Sequence, residues 1–255
     1  MPDDSLTSPS WPDLIKKIRA RTPARVLMGR SGAAYRTSTQ LDLRQAHAAA
    51  RDAVRAELSL ETNFDADFLK RWEIFEVSTK ASSKNEYLFR PDLGRHFSEQ
   101  SCSDIVSRCP RGSHFQIAIG DGLSVTAVSK QVPALLPTLI EGAAEHGWSV
   151  GPVFVIRHCR VGILNGIGEL LAPKVAVLLI GERPGLATAE SLSAYMAYRP
   201  NNTHTDANRN LISNIHARGV EPGAAAIRIL NLAATMMSRA TSGTQLRESL
   251  PALEK

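Results

Sequence analysis

Residues 175–185, VAVLLIGERPG, form an apolar run that ends in a charged turn flanked by glycines. A short run of branched apolar residues predicts a strand that is buried on both faces of a parallel sheet. In open sheets of this kind, ligands bind outside the carboxyl ends of the strands. The turn at residues 181–185 is therefore the place where we expect a ligand.

The composition is typical of a globular protein, because 43% of the 255 residues are hydrophobic and 22% are charged. This length is sufficient for one large core or for a core with a smaller lobe. The first eleven residues are acidic and polar, so we do not expect secretion. The apolar runs are too short for a membrane helix, and we expect no membrane partner.

The cysteines, histidines and basic residues do not indicate a metal or a nucleic acid. The three cysteines, Cys102, Cys109 and Cys159, include no C-x-x-C pair, and the seven histidines are scattered. The net charge is +5, but the basic residues between positions 16 and 30 have few aromatic neighbours. Such a run is more typical of a solvated face or a protein contact. We therefore expect no metal site and no nucleic-acid partner.

The order of elements predicts an α/β fold: a Rossmann-like parallel sheet flanked by helices, with a helical N-terminal region. From residue 115 onward, strands and helices alternate across glycine turns. The predicted strands are 115–119, 149–156 and 174–180, and the predicted helices are 125–146, 166–171, 206–216 and 222–239, the last ending at Ser242 and Gly243. Upstream, residues 40–58 predict a helix that packs through one apolar face.

Three regions follow from these patterns. Residues 1–21 form a flexible tail with a short helix, residues 22–110 form a helical and irregular region, and residues 111–255 form the Rossmann-like domain. The aromatic residues between positions 63 and 91 are expected to cover one end of the core.

The common signatures of catalysis do not occur in the sequence. There is no G-x-x-x-x-G-K-[ST] and no G-x-S-x-G, and the glycines at positions 29 and 32 lack the rest of a dinucleotide fingerprint. Asp121 and Ser124 could act as base and nucleophile, but a strand-to-helix turn and an N-cap need the same residue types. Binding is the better interpretation of the chain.

Short strings occur in a fixed order along the chain, and together they resemble a family. The early ones are RV at 25–26, RT at 36–37, RDAV at 51–54 and LFRPDLGR at 88–95. The later ones are DGLS at 121–124, RV at 160–161, IGELL at 167–171, LIGERPGL at 179–186, ESLSAY at 190–195 and ISNI at 212–215. Over residues 22–245 the sequence resembles the small, or light, subunit of ethanolamine ammonia-lyase.

The resemblance implies an adenosylcobalamin-dependent enzyme that converts ethanolamine to acetaldehyde and ammonia. In this family a large subunit with a (β/α) barrel holds the substrate and the radical chemistry. The small subunit, with a Rossmann-like core, covers the coenzyme on its nucleotide-tail side. The implied partner is that large subunit, in an assembly of six large and six small subunits. The implied location is a bacterial microcompartment or the cytoplasm.

The resemblance also assigns coenzyme contacts to three positions: Val161, Glu182 and Leu211. A corrin ring carries amide groups at its rim, and Glu182 can accept hydrogen bonds from their N–H groups. Gly181 leaves space for a neighbouring backbone to approach. Alternatively, Glu182 pairs with Arg183 or caps the next helix. Leu211 stands where some members of the family have cysteine. Leucine can make the coenzyme contact if that contact is apolar or through the backbone.

Other positions depart from the family or remain open to two interpretations. Ala46 precedes His47 where some members have Asp, and Cys159 stands where Gly is common. Arginines such as Arg90 are candidates for docking the large subunit, or Arg90 forms an internal ion pair with Asp92. The alternative function is a free-standing Rossmann-like module that binds a ligand or nucleic acid without catalysis.

Overall fold

The structure is a computed structural model that describes residues 11–22 and 24–248. The tail predicted at residues 1–10 lies outside the described residues. In chain order, the strands among the described residues are β1 (Arg30–Ser31), β2 (Ala34–Tyr35), β3 (Phe75–Ser78), β4 (Phe115–Gly120), β5 (Phe154–Arg157), β6 (Val175–Gly181), β7 (Leu192–Tyr198) and β8 (Asn210–Ile215). Strands β1 and β2 form a small antiparallel hairpin.

The α-helices of the same residues separate the strands from β3 to β6, whereas β6, β7 and β8 follow one another without an intervening α-helix. They are α1 (Trp11–Ala20), α2 (Thr37–Arg55), α3 (Leu60–Asn63), α4 (Ala66–Arg71), α5 (Lys84–Phe89), α6 (Glu99–Arg108), α7 (Val125–Glu145), α8 (Ile163–Leu171) and α9 (Pro222–Arg239). Short 3-10 turns lie at Leu93–Arg95, Asp206–Asn208 and Gly243–Gln245. None of the helices in the described part of the chain is long and apolar enough to cross a membrane.

The central sheet has the strand order β3-β5-β4-β6-β7-β8 within the described residues. Strands β3, β5, β4 and β6 run parallel, which confirms the predicted α/β architecture. Strands β7 and β8 are antiparallel additions at one edge. At the opposite edge, β3 comes from the region before residue 110, so the N-terminal part of the chain contributes to the same sheet. The division into three regions stays a prediction.

Two hydrophobic cores cover the two faces of the sheet. Ile117, Val177 and Leu179 pack with residues of α7 and α9 on one face. Ala118 and Leu178 alternate with them and pack with residues of α6 and α8 on the other face. Because successive side chains of a strand point to opposite faces, a strand covered on both faces needs apolar residues throughout. This explains the uninterrupted apolar sequence of β6.

The helix predicted at residues 206–216 is wrong. This segment forms the turn Asp206–Asn208 and then β8, which pairs with β7. A bulge in the pairing, between Leu192 and Ala194, places both Ile212 and Ile215 in the buried core. Buried positions three residues apart are typical of a helix. A bulge adds one residue to a strand and produces the same spacing there.

The helix predicted at residues 40–58 exists as α2, but it is not a packing helix within this chain. Among its described residues only Thr39 and Ala53 are buried, and Leu41 is 57% exposed. The end of α9 also differs from the prediction. Ala240, in the left-handed conformation with φ of 50°, caps the helix, whereas Ser242 accepts a hydrogen bond from the N–H of Tyr198.

Helix α8 provides a test of how tightly the layers pack. A Cβ atom added at Gly168 would lie 1.7 Å from the carbonyl oxygen of Pro200, whereas one added at Gly166 would meet only the ring of Phe97, at 3.3 Å. We expect Gly168→Ala to lower the free energy of unfolding by about 1 to 3 kcal/mol. Gly166→Ala is the matched control, because alanine in the same helix is favoured over glycine by up to about 1 kcal/mol.

Urea unfolding followed by circular dichroism measures both variants. Equal stability of the two variants would contradict the close approach of Pro200 to α8.

Candidate functional site

The predicted site residues line a cavity at the carboxyl ends of β4, β5 and β6. A separate cavity of about 350 Å³ lies beside the arginines of α2. The strand-end cavity has a volume of about 340 Å³. Its lining includes Gly122, Arg160, Val161, Glu182, Tyr195 and Leu211. The structure thus brings Val161, Glu182 and Leu211 together around one cavity, although they are far apart in the sequence.

The position of the cavity follows from the path of the chain through the sheet. After β4 the chain passes through residues 121–124 into α7, which packs on one face. After the adjacent strand β5 it passes through residues 158–162 into α8, which packs on the opposite face. Where neighbouring strands of an open sheet send their connections to opposite faces, a crevice opens between the two loops. The predicted ligand position at the end of β6 borders this crevice.

Glycines allow the turns after β4 and β6 to touch. Gly122 has a φ of +56°, and a Cβ atom there would lie 2.2 Å from the carbonyl oxygen of Gly181. A Cβ atom on Gly181 would lie 2.1 Å from the carbonyl oxygen of Ser124. The backbone that approaches Gly181 is therefore the protein's own turn. Ser124 caps α7 by accepting from the N–H of Ala127, so its role here is structural.

Asp121 holds the loop after β5 in place. Its carboxylate is buried and accepts hydrogen bonds from the consecutive N–H groups of His158, at 2.9 Å, and Cys159, at 2.8 Å. His158 has a φ of +57°, an uncommon conformation for a residue other than glycine. The ammonium group of Lys84 lies 3.7 Å from the same carboxylate and is also buried. Asp121 is thus a structural residue rather than an exposed base.

Tyr87 supports the same loop from α5. Its hydroxyl donates to the carbonyl oxygen of Cys159 at 2.9 Å, and the guanidinium of Arg160 lies 4.2 Å from its ring centroid. Burial, and secondarily the charge of Asp121, raises the pKa of Tyr87. Sequence reasoning missed Lys84 and Tyr87, because no motif includes them. The only signal was that Tyr87 directly precedes the LFRPDLGR string.

The carboxylate of Glu182 is fixed by three donors. It accepts from the hydroxyl of Ser191 at 2.7 Å, from the hydroxyl of Ser193 at 2.5 Å and from the N–H of Asn214 at 2.9 Å. In the described structure it therefore neither pairs with Arg183 nor caps a helix, and both of these alternatives are wrong. A carboxylate has about four acceptor positions, so one remains on the oxygen bonded to Ser191.

Apolar and aromatic side chains form the rest of the wall. Leu211 is 46% exposed, Val161 is half-buried, and Tyr195 lies opposite Leu211 in the pairing of β7 with β8. Burial, followed by the charge of Glu182, raises the pKa of Tyr195. Cys159 is completely buried, and burial raises its pKa, so its thiol is neutral and unreactive at neutral pH.

Arg90 forms a bidentate ion pair with Asp92, with nitrogen to oxygen distances of 3.0 and 2.7 Å, so the internal pair predicted as one alternative is present. This pair lowers the pKa of Asp92. Within residues 11–22 and 24–248, no cluster of three or more His, Cys, Asp or Glu side chains could hold a metal ion.

A mostly parallel, helix-flanked sheet with a cavity at the carboxyl ends of its parallel strands defines the Rossmann-like α/β class. Within that class, residues 12–247 match the family described as ethanolamine ammonia-lyase light chain. The chain belongs to this family.

Individual relatives show the same similarity over most of the chain. The chain is 41% identical to the ethanolamine ammonia-lyase small subunit of Clostridium perfringens over 231 residues, which are 91% of this chain and 76% of the relative. It is 40% identical to the small subunit of Clostridioides difficile, over 90% of this chain and 76% of the relative. For Fusobacterium nucleatum the identity is 38%, over 91% and 76%.

The buried pair of Asp121 and Lys84 can be tested by substitution. Asp121→Asn removes one acceptor oxygen and leaves the ammonium of Lys84 without its counter-charge. We expect the free energy of unfolding to fall by at least about 2 kcal/mol. Asp92→Asn, in the exposed pair with Arg90, is the control and should change stability little.

A double-mutant cycle with Lys84→Met separates the pair from its surroundings. We expect the combined variant to lose less stability than the sum of the single losses, by about 0.5 to 3 kcal/mol. Additive losses would show that Lys84 and Asp121 do not interact.

Proposed function

We propose that this chain is the small subunit of an adenosylcobalamin-dependent ethanolamine ammonia-lyase, which converts ethanolamine to acetaldehyde and ammonia. Its role is to help bind the coenzyme at the interface with the large subunit. One observation carries the proposal: Val161, Glu182 and Leu211, which the family resemblance assigns to the coenzyme, line one cavity at the carboxyl ends of the strands. Membership of the family supports the same role.

The residues around the cavity fit a corrinoid. The rim of a corrin ring carries carboxamides, which both donate and accept hydrogen bonds. Glu182 has an open acceptor position, and Arg160 supplies donors on the same cavity. Val161 and Leu211 offer apolar surface to the hydrocarbon part of the ring. A wall of this composition suits a large ligand with an apolar body and a polar rim.

The size of the cavity supports a binding surface shared with another chain. Pockets that bind drug-sized ligands have volumes of about 300 to 1,000 Å³. The strand-end cavity, at about 340 Å³, covers only a part of a cobalamin, which is far larger. A second wall must come from a partner, and the proposed partner is the large subunit, with six copies of each chain. Exposed apolar side chains outside the cavity, such as Leu186 and Phe89, are candidates for that contact.

The proposed role of this chain is to position the coenzyme and to shield it from water. When bound, the coenzyme supplies the radical chemistry that the protein side chains lack. Glu182, held by three donors, orients one edge of the ligand. Leu211 and Val161 exclude water from the same edge. The proposed location is a bacterial microcompartment or the cytoplasm.

Co-expression with the large subunit tests the proposal. We expect acetaldehyde release from ethanolamine only when both chains and adenosylcobalamin are present. Size-exclusion chromatography of the same sample checks that the two chains form a complex. If the two chains form no complex, the proposal is wrong, and the alternative of a free-standing binding module is favoured.

Glu182→Gln tests the polar edge of the binding surface. The variant keeps the shape of the side chain and removes the charge and one acceptor oxygen. We expect the dissociation constant of the complex for cyanocobalamin to rise about tenfold, the usual effect of losing a charged hydrogen bond. Visible absorbance after ultrafiltration measures this constant.

Glu141→Gln, on the exposed surface of α7, is the matched control. An unchanged constant in the Glu182 variant would remove this residue from the binding surface.

A further inference from the structure

One polar group of the strand-end cavity has no partner in the part of the chain that the structure describes. The Nε atom of Arg160 is buried and makes no hydrogen bond. A buried donor without an acceptor is costly, and native structures leave few of them. Arg160 lines the wall of the cavity, so a ligand bound there can contact the guanidinium that this chain leaves without an acceptor at Nε.

The surroundings of Arg160 hold its guanidinium without satisfying it. The group stacks on the ring of the buried Tyr87, with 4.2 Å from Cζ to the centroid. One of its terminal nitrogens donates to the carbonyl oxygen of Tyr87 over a long 3.4 Å. Among the described residues, no carboxylate lies within 4 Å of it. Within the described part of the chain, Arg160 is therefore a cation without an ion-pair partner.

The backbone of Arg160 is also fixed. Its N–H donates to the carbonyl oxygen of Gly94 at 2.9 Å, and a Cβ atom on Gly94 would lie 2.7 Å from the Cγ of Arg160. Asp121 holds the two preceding residues through their N–H groups. A side chain that is held by its backbone and by a stacked ring loses little entropy when it binds. This is the arrangement of a preorganised binding residue.

We propose that Arg160 is a further binding residue for the corrinoid and donates to one of its oxygen atoms. The inference rests on the proposed function, because it takes the ligand of the cavity to be the coenzyme. A guanidinium donates equally well to a carboxamide carbonyl and to a phosphodiester oxygen. In a cobalamin the first lies at the rim of the ring and the second in the nucleotide tail. Arg160 and Glu182 then supply donor and acceptor on one cavity.

The test uses the complex of both subunits and two probes, cyanocobalamin and dicyanocobinamide, of which only the first contains the phosphodiester. The variants are Arg160→Met, which removes all donors, and Arg160→Lys, which keeps the charge but loses the planar group. Arg157→Met is the matched control. Arg157 is the last residue of β5, three residues before Arg160, but it forms ion pairs with Glu57 and Glu76 and does not line the cavity.

We expect Arg160→Met to raise the dissociation constant for cyanocobalamin about tenfold or more, with a smaller rise for Arg160→Lys. The control should change it less than about twofold. An equal loss for dicyanocobinamide identifies a carboxamide as the acceptor, whereas a loss confined to cyanocobalamin identifies the phosphodiester. If Arg160→Met does not assemble, Arg160→Lys decides by the same measurement.

Two results separate the inference from the proposed function. If Glu182→Gln weakens binding and the Arg160 variants do not, the inference about Arg160 is wrong and the proposed function stands. If the large subunit alone binds both probes as tightly as the unsubstituted complex, the proposed coenzyme-binding role of this chain is wrong as well.

Discussion

The candidate site depends on the carboxylate of Asp121, which accepts hydrogen bonds from two consecutive backbone N–H groups. This contact joins the end of β4 to the loop after β5, and it acts where the chain leaves two neighbouring strands toward opposite faces of the sheet. The loop then continues into Arg160 and Val161, which line the strand-end cavity. Without the buried carboxylate, two N–H groups would lack partners and His158 would lose support for its left-handed backbone.

The buried lysine beside Asp121 illustrates the balance in such a site. A carboxylate that accepts two amide hydrogen bonds is already well solvated by the protein, and Lys84 adds the counter-charge at 3.7 Å. The ammonium also lies 5.0 Å from the ring centroid of Tyr87. Charge and hydrogen bonds are thus satisfied behind the cavity, whereas Arg160, on its wall, keeps a buried donor unsatisfied. The polar groups that hold the site together thus have their partners within the chain, whereas the guanidinium of Arg160 does not have all of its partners in the described residues.

The parts of the fold that the sequence predicted are those with a single periodicity. The run at β6 and helix α9 were recognised because each is long and apolar on the faces it buries. The antiparallel strands β7 and β8 were missed, since a bulge gives β8 a helix-like spacing of buried residues. Helix α2 was assigned to the core from its amphipathic pattern, but a pattern does not show whether the surface that covers the apolar face belongs to the same chain.

The candidate site was also predictable from the sequence only in part. The strand-end position of Glu182 could be predicted, because glycines after an apolar strand mark it. Its three donors could not, since Ser191, Ser193 and Asn214 reach it through the pairing of β6, β7 and β8. Missing this pairing led to the wrong alternatives for Glu182. The same pairing brings Leu211 to the cavity. Strands β7 and β8, which the sequence pattern did not predict, therefore supply donors that hold the carboxylate of Glu182 as well as the apolar wall beside it.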